Sequence, residues 1–188
     1  MSEEMLVRCC APTLAGLKTG SLFSCPTDSK ADMVEELRSL NRALVPKGFR
    51  VLPLRYSHNS ALIYVFCPKA LKRDLCDCQA AQLLAERGYP VENADKCIMT
   101  LIRRLRAQDS FPHEIGLFLG YPPEDVRGFI RNGANNCKCS GLWKVYGDEK
   151  KARMRFEMYE KCTRCYCRQY HSGVSIERLA VENKSEEV

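Results

Sequence analysis

The stretch from Ser110 to Asn132 constrains the fold most, because it combines a helix stop with a helix start in the sequence SFPHEIGLFLGYPPEDVRGFIRN. Gly120 suits the left-handed conformation that commonly ends a helix. Pro122 and Pro123 follow at once, and proline presets the backbone angle of a first helical turn. The stretch therefore predicts two short helices joined by a tight turn, in the manner of a helix-turn-helix.

Strand-like and helix-like patterns surround this helix pair. Residues 49–55 and 61–66 are rich in β-branched and aromatic residues and predict a hairpin, with Pro53 marking an edge strand or a bulge. Residues 142–146, around the only tryptophan, predict a further strand of the same sheet. A short strand is also predicted at 5–8. Apolar residues at helical spacing predict helices over 11–18, 68–75, 78–87, 94–107 and 149–170, with one more before Gly48.

These elements predict an α+β fold in which a small, mostly antiparallel sheet is covered by helices. The chain has 188 residues, enough for one domain with a sizeable core, and we expect that domain to span 1–181. Most of the charged residues at 182–188 are acidic, and this segment predicts a flexible tail. The net charge of +6 permits an anionic partner without requiring one.

Twelve cysteines make the composition unusual. The first ten residues lack the apolar run of a signal peptide, and no stretch reaches the ~20 apolar residues of a membrane helix. We therefore expect a cytoplasmic protein with reduced thiols and no membrane association. A disulfide framework is the less favoured interpretation of the cysteines.

Three segments together point to a known family. They are CAPTLAGLKTGSLF at 10–23, PHEIGLFLGYPPEDVRGFI at 112–130 and GLWKVYGD at 141–148. They resemble an uncharacterised family of proteins from anaerobic Firmicutes that have about this length. The resemblance covers nearly the whole chain. Because that family is a domain of unknown function, the resemblance implies a bacterial origin and supplies no activity.

Cys10 and His113 form the first candidate site, a catalytic one. The predicted helix over 11–18 places Cys10 at a helix N-terminus, where the helix dipole lowers a thiol pKa. His113 lies at the predicted start of the helix pair and would serve as base, with Asp125 or Asp148 as a third group. The alternative is that Cys10 packs as a small apolar residue and that His113 caps a helix.

A second candidate site is a four-thiolate metal centre made of Cys137, Cys139, Cys162 and Cys165. Zinc and an iron–sulfur cluster both suit such ligands. Cys167 points well away from Cys162 on a helix, so one site does not use every thiol of the last helix. In the family that the chain resembles, Cys162 belongs to the pattern and the other three do not, which implies that a metal centre is not general to it. The alternative is that several of these are core cysteines.

A third possibility is that the helix pair reads DNA. A recognition helix places its N-terminal residues in the major groove, and here that first turn would hold two prolines and two acidic residues, which repel phosphate. The basic residues suited to a nucleic acid are Arg103, Arg104, Arg127 and Arg131. The leading hypothesis is thus a thiol-dependent protein, with enzymatic activity at Cys10 and His113. The alternatives are a metal-binding or redox module and a helix-turn-helix DNA-binding protein.

Overall fold

A computed structural model describes residues 2–107 and 111–182, and it has the predicted α+β architecture. The described elements are, in chain order, α1 (Glu3–Leu14), β1 (Gly20–Pro26), α2 (Lys30–Leu44), β2 (Arg50–Ser57), β3 (Ser60–Phe66), α3 (Pro68–Leu75), α4 (Cys78–Ala85), α5 (Ala94–Ala107), α6 (Ile115–Phe118), α7 (Pro123–Asn132), β4 (Cys139–Ser140), β5 (Lys144–Val145), α8 (Glu149–His171) and α9 (Ile176–Leu179). A single 3₁₀ turn, Val45–Lys47, follows α2.

The chain divides into two compact units. The first, called the sheet unit here, comprises Met1–Ala70 and Tyr159–Val188, and the second, the helical unit, comprises Leu71–Met158. The division falls within α8. The single domain expected over 1–181 stays a prediction. Of the tail expected over 182–188, only Glu182 is described, and its carboxylate accepts from the Lys47 ammonium at 2.8 Å. No helix in the described parts of the chain is long and apolar enough to span a bilayer.

The sheet unit is built on an antiparallel sheet with the strand order β1-β3-β2. The predicted hairpin is present as β2 and β3, which are joined by a two-residue turn at His58 and Asn59. Pro53 lies on β2, an edge strand, and the register shifts between Pro53 and Arg55. Both expectations for Pro53 are therefore confirmed, because an edge and an irregularity each tolerate its missing N–H.

The third strand of this sheet is β1, and the prediction that the tryptophan segment supplies it is wrong. Strand β1 reads GSLFSCP, whose small polar residues resemble a loop, yet it pairs with β3 along its whole length. Burial against the sheet and its covering helices outweighs this weak strand propensity. The segment at 142–146 contributes only β5, which pairs with β4 inside the helical unit.

The prediction of a strand at 5–8 is also wrong, because α1 already begins at Glu3. Ser2 caps the helix by accepting from the Met5 amide at 3.2 Å, and two glutamates stand in its first turn, where the dipole favours negative charge. Four of its residues, Leu6, Val7, Cys10 and Leu14, enter the core that α1, α2 and α9 form with the sheet. These buried residues, which include Cys10, recur at helical spacing. Their burial against the core therefore favours a helix over the predicted strand.

The helical unit contains the predicted helix pair as α6 and α7. The first helix is short, spanning Ile115–Phe118, and Ser110, which the sequence offers as an N-cap for it, lies outside the described residues. The turn is as expected: Gly120 has a φ of 75°, and the Tyr121 amide donates to the Gly116 carbonyl at 2.9 Å. Pro123 then starts α7. The helix pair is thereby confirmed as a structural feature.

Candidate functional site

Cys10 lies in the C-terminal half of α1, so its predicted place at a helix N-terminus is wrong. The thiol is fully buried, and this burial raises its pKa. The nearby Cys9 raises the pKa further, while Lys18 and a hydrogen bond from Ser21 lower it less strongly. The expected lowering of the Cys10 pKa is therefore wrong as well, because desolvation of the thiolate outweighs the charges around it.

His113, the predicted base, lies in the helical unit, whereas Cys10 lies in the sheet unit. Its side chain is exposed, and its ring packs edge-on against Phe129 with 4.9 Å between ring centroids. This contact anchors the imidazole to α7 and gives it a structural role within the helix pair. The catalytic pairing of Cys10 with His113 stays a prediction.

Cys10 has polar neighbours of its own within the sheet unit. The Thr13 and Ser21 hydroxyls are hydrogen-bonded at 2.8 Å, and both side chains are buried. Ser21 also hydrogen-bonds to the Cys10 sulfur, and the charges of Lys18 and Cys10 act on each other. We call Cys10, Thr13, Lys18 and Ser21 the polar cluster. All four belong to the segment CAPTLAGLKTGSLF, which opened the family resemblance.

Lys18 is the member of the polar cluster with the most unusual charge state. Burial lowers its pKa to about 8, and the neighbouring Cys10 opposes this shift. About one in ten such side chains is a neutral amine at pH 7, so Lys18 is able to accept a proton near neutrality. An amine of this kind beside a thiol provides the same pairing of base and nucleophile that was expected from His113.

Lys18 was missed from the sequence because the predicted helix was placed over 11–18 instead of ending before it. Gly16 has a φ of 71°, which turns the chain back after α1. The amides of Leu17 and Lys18 both donate to the Pro12 carbonyl, at 2.9 and 3.1 Å. Gly16 was the available sequence signal, because glycine commonly ends a helix. A helix that stops before Gly16 predicts that Lys18 folds back towards the end of α1.

A second buried polar group, Asp125, joins the other two family-like segments in the helical unit. One carboxylate oxygen accepts from the Trp143 indole at 2.7 Å, and the other accepts from the Tyr146 and Gly147 amides, each at 2.7 Å. Asp125 is only 3% exposed. Three short hydrogen bonds engage both of its oxygens, so Asp125 attaches the first turn of α7 to the WKVYG segment.

Two close approaches reinforce this attachment. A Cβ on Gly128 would lie 2.3 Å from the Tyr146 ring, and one on Gly147 would lie 2.4 Å from Glu124. These distances leave room for no larger residue at either position. The segment at 143–147 therefore packs closely against one side of α7.

Glu114 is the third buried polar group, and it also belongs to the helical unit. It is 1% exposed and accepts from the Tyr89 hydroxyl at 3.0 Å and from the guanidinium groups of Arg104 and Arg87 at 3.2 and 3.4 Å. Burial and the charge of Glu114 raise the pKa of Tyr89, which keeps this hydroxyl protonated as a donor. Glu114 thus fixes the start of the helix pair to the end of α4 and to α5.

Family membership follows from the sequence comparison. The sequence model of the family described as "Protein of unknown function (DUF3793)" matches residues 6–180. The chain belongs to this family. No curated protein and no solved structure matches the chain. The family region contains the polar cluster, Asp125 and Glu114, and the resemblance to an uncharacterised family is confirmed.

Three of the four arginines proposed for a nucleic acid have side-chain contacts within the helical unit of this family member. Arg104 binds Glu114, and its guanidinium lies over the Tyr89 ring, 4.7 Å from the centroid. Arg127 lies 3.9 Å from a carboxylate oxygen of Glu86. Arg103 donates to the Thr100 hydroxyl at 3.0 Å. Arg131 is exposed near the end of α7. Nucleic-acid binding stays a prediction.

The four predicted metal ligands fall into two pairs. Cys137 and Cys139 lie at the start of the β4–β5 hairpin in the helical unit, and Cys162 and Cys165 lie on successive turns of α8 in the sheet unit. Burial raises the pKa of Cys162 to about 11, and Cys165 adds to this. Within residues 2–107 and 111–182, no three His, Cys, Asp or Glu side chains form a group that could hold a metal. A zinc or iron–sulfur centre stays a prediction.

Proposed function

We propose that the protein is a thiol-dependent protein whose working site is the polar cluster of Cys10, Thr13, Lys18 and Ser21. The observations that support this proposal are the buried Cys10 thiol, the hydrogen-bonded hydroxyls of Thr13 and Ser21, and a partly buried Lys18 whose charge acts on Cys10. Burying a polar group without full compensation costs roughly 1–3 kcal/mol. Apolar side chains would fill the same space without this cost, and groups with perturbed pKa values are concentrated at functional sites.

Each member of the cluster has a distinct role in this proposal. Cys10 is the nucleophile, and Lys18 is the base that accepts its proton. When the proton moves from the sulfur to the amine, a thiolate and an ammonium form side by side, and their attraction stabilises both. The Ser21 hydroxyl then donates to the thiolate, and Thr13 orients that hydroxyl through its own hydrogen bond.

The resting site is unreactive in this scheme. Because burial raises the Cys10 pKa, the stable state keeps the proton on sulfur, and only the neutral fraction of Lys18, about one in ten at pH 7, is able to accept it. Cys10 is fully buried, so a substrate must displace part of the α1–β1 junction to reach it. A small electrophile suits this site, because the attacking atom is a single sulfur within a tightly packed layer.

Residue-resolved alkylation of Cys10 by iodoacetamide against pH tests the proposal. We expect Lys18→Met to slow the alkylation of Cys10 about tenfold, since losing one pKa unit of thiolate stabilisation reduces the thiolate by that factor. Lys18→Arg keeps a positive charge without accepting a proton, so it separates the role of base from simple charge attraction. Lys150→Met, at an exposed position on α8, is the matched control and should leave the rate unchanged.

The result that would overturn the proposal is an equal rate of Cys10 alkylation in the wild-type protein and in a folded Lys18→Met variant. Cys78 provides an internal standard in every sample, because its thiol is exposed and free. A change in the alkylation rate of Cys10 alone is assigned to the polar cluster. A change in rate that Cys78 shares indicates a difference in the reagent or partial unfolding.

We place this thiol function in a bacterium, as the family resemblance implies, and we propose the cytoplasm as its location. The state of the cysteines supports this location. All twelve thiols are free, which is typical of proteins from a reducing compartment.

A further inference from the structure

The two edges of the sheet in the sheet unit are finished differently. The strand order is β1-β3-β2, so β1 and β2 are the edge strands. An edge strand presents N–H and C=O groups that no neighbouring strand binds, and native proteins usually protect such an edge against pairing with another chain. A difference in protection therefore indicates where a further strand can pair.

The β2 edge is protected at successive positions. Val51 directs its backbone groups away from β3, and the Asn41 side chain of α2 binds both of them. The Asn41 side-chain oxygen accepts from the Val51 amide at 2.9 Å, and its nitrogen donates to the Val51 carbonyl at 2.8 Å. The next outward position is Pro53, which has no N–H, and the register shifts directly after it. A side chain, a proline and an irregularity thus close this edge.

The backbone groups of β1 alternate in direction. In an antiparallel pair, residues that exchange hydrogen bonds with the partner strand alternate with residues whose groups face away. The Thr19 carbonyl accepts from the Cys67 amide at 3.0 Å, and a bond from the Thr27 amide at 3.1 Å continues the same alternation at the other end of β1. The odd-numbered residues of β1 therefore bond to β3, and Leu22 and Ser24 direct their N–H and C=O groups outward.

The outward groups of Leu22 and Ser24 form an open edge. Within residues 2–107 and 111–182, no group is hydrogen-bonded to the amide or the carbonyl of either residue. Ser24 and Pro26 are exposed and Leu22 is half-buried, whereas Gly20, the first outward position, is buried. Strand β1 contains no charged residue, and its only proline is its last residue. At Leu22 and Ser24, β1 therefore lacks the protection that β2 has.

We propose that the open edge of β1 is an interaction surface at which two copies of this chain pair antiparallel, so that their three-stranded sheets join into one. This inference goes beyond the proposed function of the polar cluster and does not depend on it. The two-fold axis passes at Phe23, so Leu22 of each copy lies opposite Ser24 of the other. Each such pair exchanges both of its backbone hydrogen bonds.

The distribution of charge favours a second copy as the partner. Because β1 is uncharged, two copies of it meet without like-charge repulsion, although the chain as a whole has a net charge of +6. Lys18 precedes the strand and Asp28 follows it. Antiparallel pairing brings the start of one strand beside the end of the other, so opposite charges meet at both ends of the paired strands.

Analytical ultracentrifugation of the full chain, over a range of concentrations and with a reductant present, tests this surface. We expect the wild-type protein to dimerise with a dissociation constant of about 10–100 µM, because a short strand edge buries less area than a standard interface. The reductant excludes dimers that are joined by disulfides. Hydrogen exchange at the Leu22 and Ser24 amides should slow as the dimer forms, because both amides become donors to the second copy.

Ser24→Pro is the most specific variant, because it removes an outward N–H and leaves the bonds between β1 and β3 in place. We expect it to keep the far-UV circular dichroism of the wild-type protein and to stay monomeric at concentrations at which the wild-type protein dimerises. Ser24→Ala keeps the backbone amide, so it is the matched control and should dimerise like the wild-type protein.

A wild-type chain that stays monomeric up to about 1 mM would overturn the proposal, whether or not its edge binds a strand of another protein. A dimer that Ser24→Pro leaves intact would overturn it as well. If Ser24→Pro fails to fold, hydrogen exchange of the wild-type protein decides the matter. Leu22 and Ser24 amides that exchange equally fast in monomer and dimer would place the interface elsewhere.

Discussion

The polar cluster around Cys10 and the attachment site at Asp125 are both buried polar sites in family segments, yet their hydrogen-bond donors differ in kind. Asp125 is surrounded by an indole and two backbone amides, which are donors with no titration near neutral pH. Cys10 has a partly buried lysine and a hydroxyl as neighbours, and burial raises the pKa of its thiol. Burial at Asp125 therefore fixes structure, whereas burial around Cys10 shifts the pKa values of a thiol and an amine from their ordinary values.

This difference separates two reasons for a motif to contain polar residues. Stability alone accounts for Asp125, because three short charge-assisted hydrogen bonds join α7 to the segment at 143–147. Stability alone does not account for the polar cluster, since burial raises the pKa of its thiol and lowers that of its amine. Substitutions at the two sites should therefore affect stability very differently.

The largest effect is expected from Asp125→Ala. It leaves the Trp143 indole and two backbone amides without their acceptor, and we expect the free energy of unfolding to fall by about 3–5 kcal/mol. Urea denaturation monitored by tryptophan fluorescence measures this directly, because the only tryptophan of the chain is one of the donors.

Asp148→Ala is the matched control for this substitution. Its carboxylate caps α8 by accepting from the Lys151 amide at 3.0 Å at an exposed position, and its loss should destabilise the protein far less than the loss of Asp125. If Asp125→Ala were no more destabilising than Asp148→Ala, the attachment of α7 through Asp125 would not be the structural bond described above.

The smallest effect is expected from the double variant Thr13→Val and Ser21→Ala in the polar cluster. Removing both hydroxyls at once leaves neither without its partner, so we expect a change in the unfolding free energy within about 1 kcal/mol. Thr13→Val alone should cost more than the double change, because Ser21 then loses a buried partner. Chemical denaturation of the three variants measures this order, and a loss above 3 kcal/mol in the double variant would give the cluster a structural role like that of Asp125.

Much of the fold was predictable because local signals and tertiary packing agree. The bounds of α3 and α5 match their predicted ranges, and the turn at Gly120 and the strand irregularity at Pro53 follow from the backbone chemistry of those two residues. The errors arose where local signals were misleading. Pro12 suggested a first helical turn although it lies near the end of α1, and the small polar residues of β1 concealed a strand.

The candidate site was only half predictable. Cys10 was identified from its segment, and its pairing with His113, more than a hundred residues further along the chain, stays a prediction; Lys18, the partner proposed above, was not identified. The reason is that Lys18 reaches Cys10 through a reversal of the chain at Gly16, which depends on where α1 ends. The contacts of Asp125 were equally hidden, because its donors lie 18 to 22 residues further along the chain.

The titration of the Lys18 amine tests the central claim most directly, and NMR of lysine carbons labelled next to the amine follows it residue by residue. We predict a midpoint near pH 8 for Lys18 in the wild-type protein, because burial lowers its pKa from the ordinary value of 10.5 to about 8. A Lys18 that titrates near 10.5 would contradict the assignment of the polar cluster as the working site.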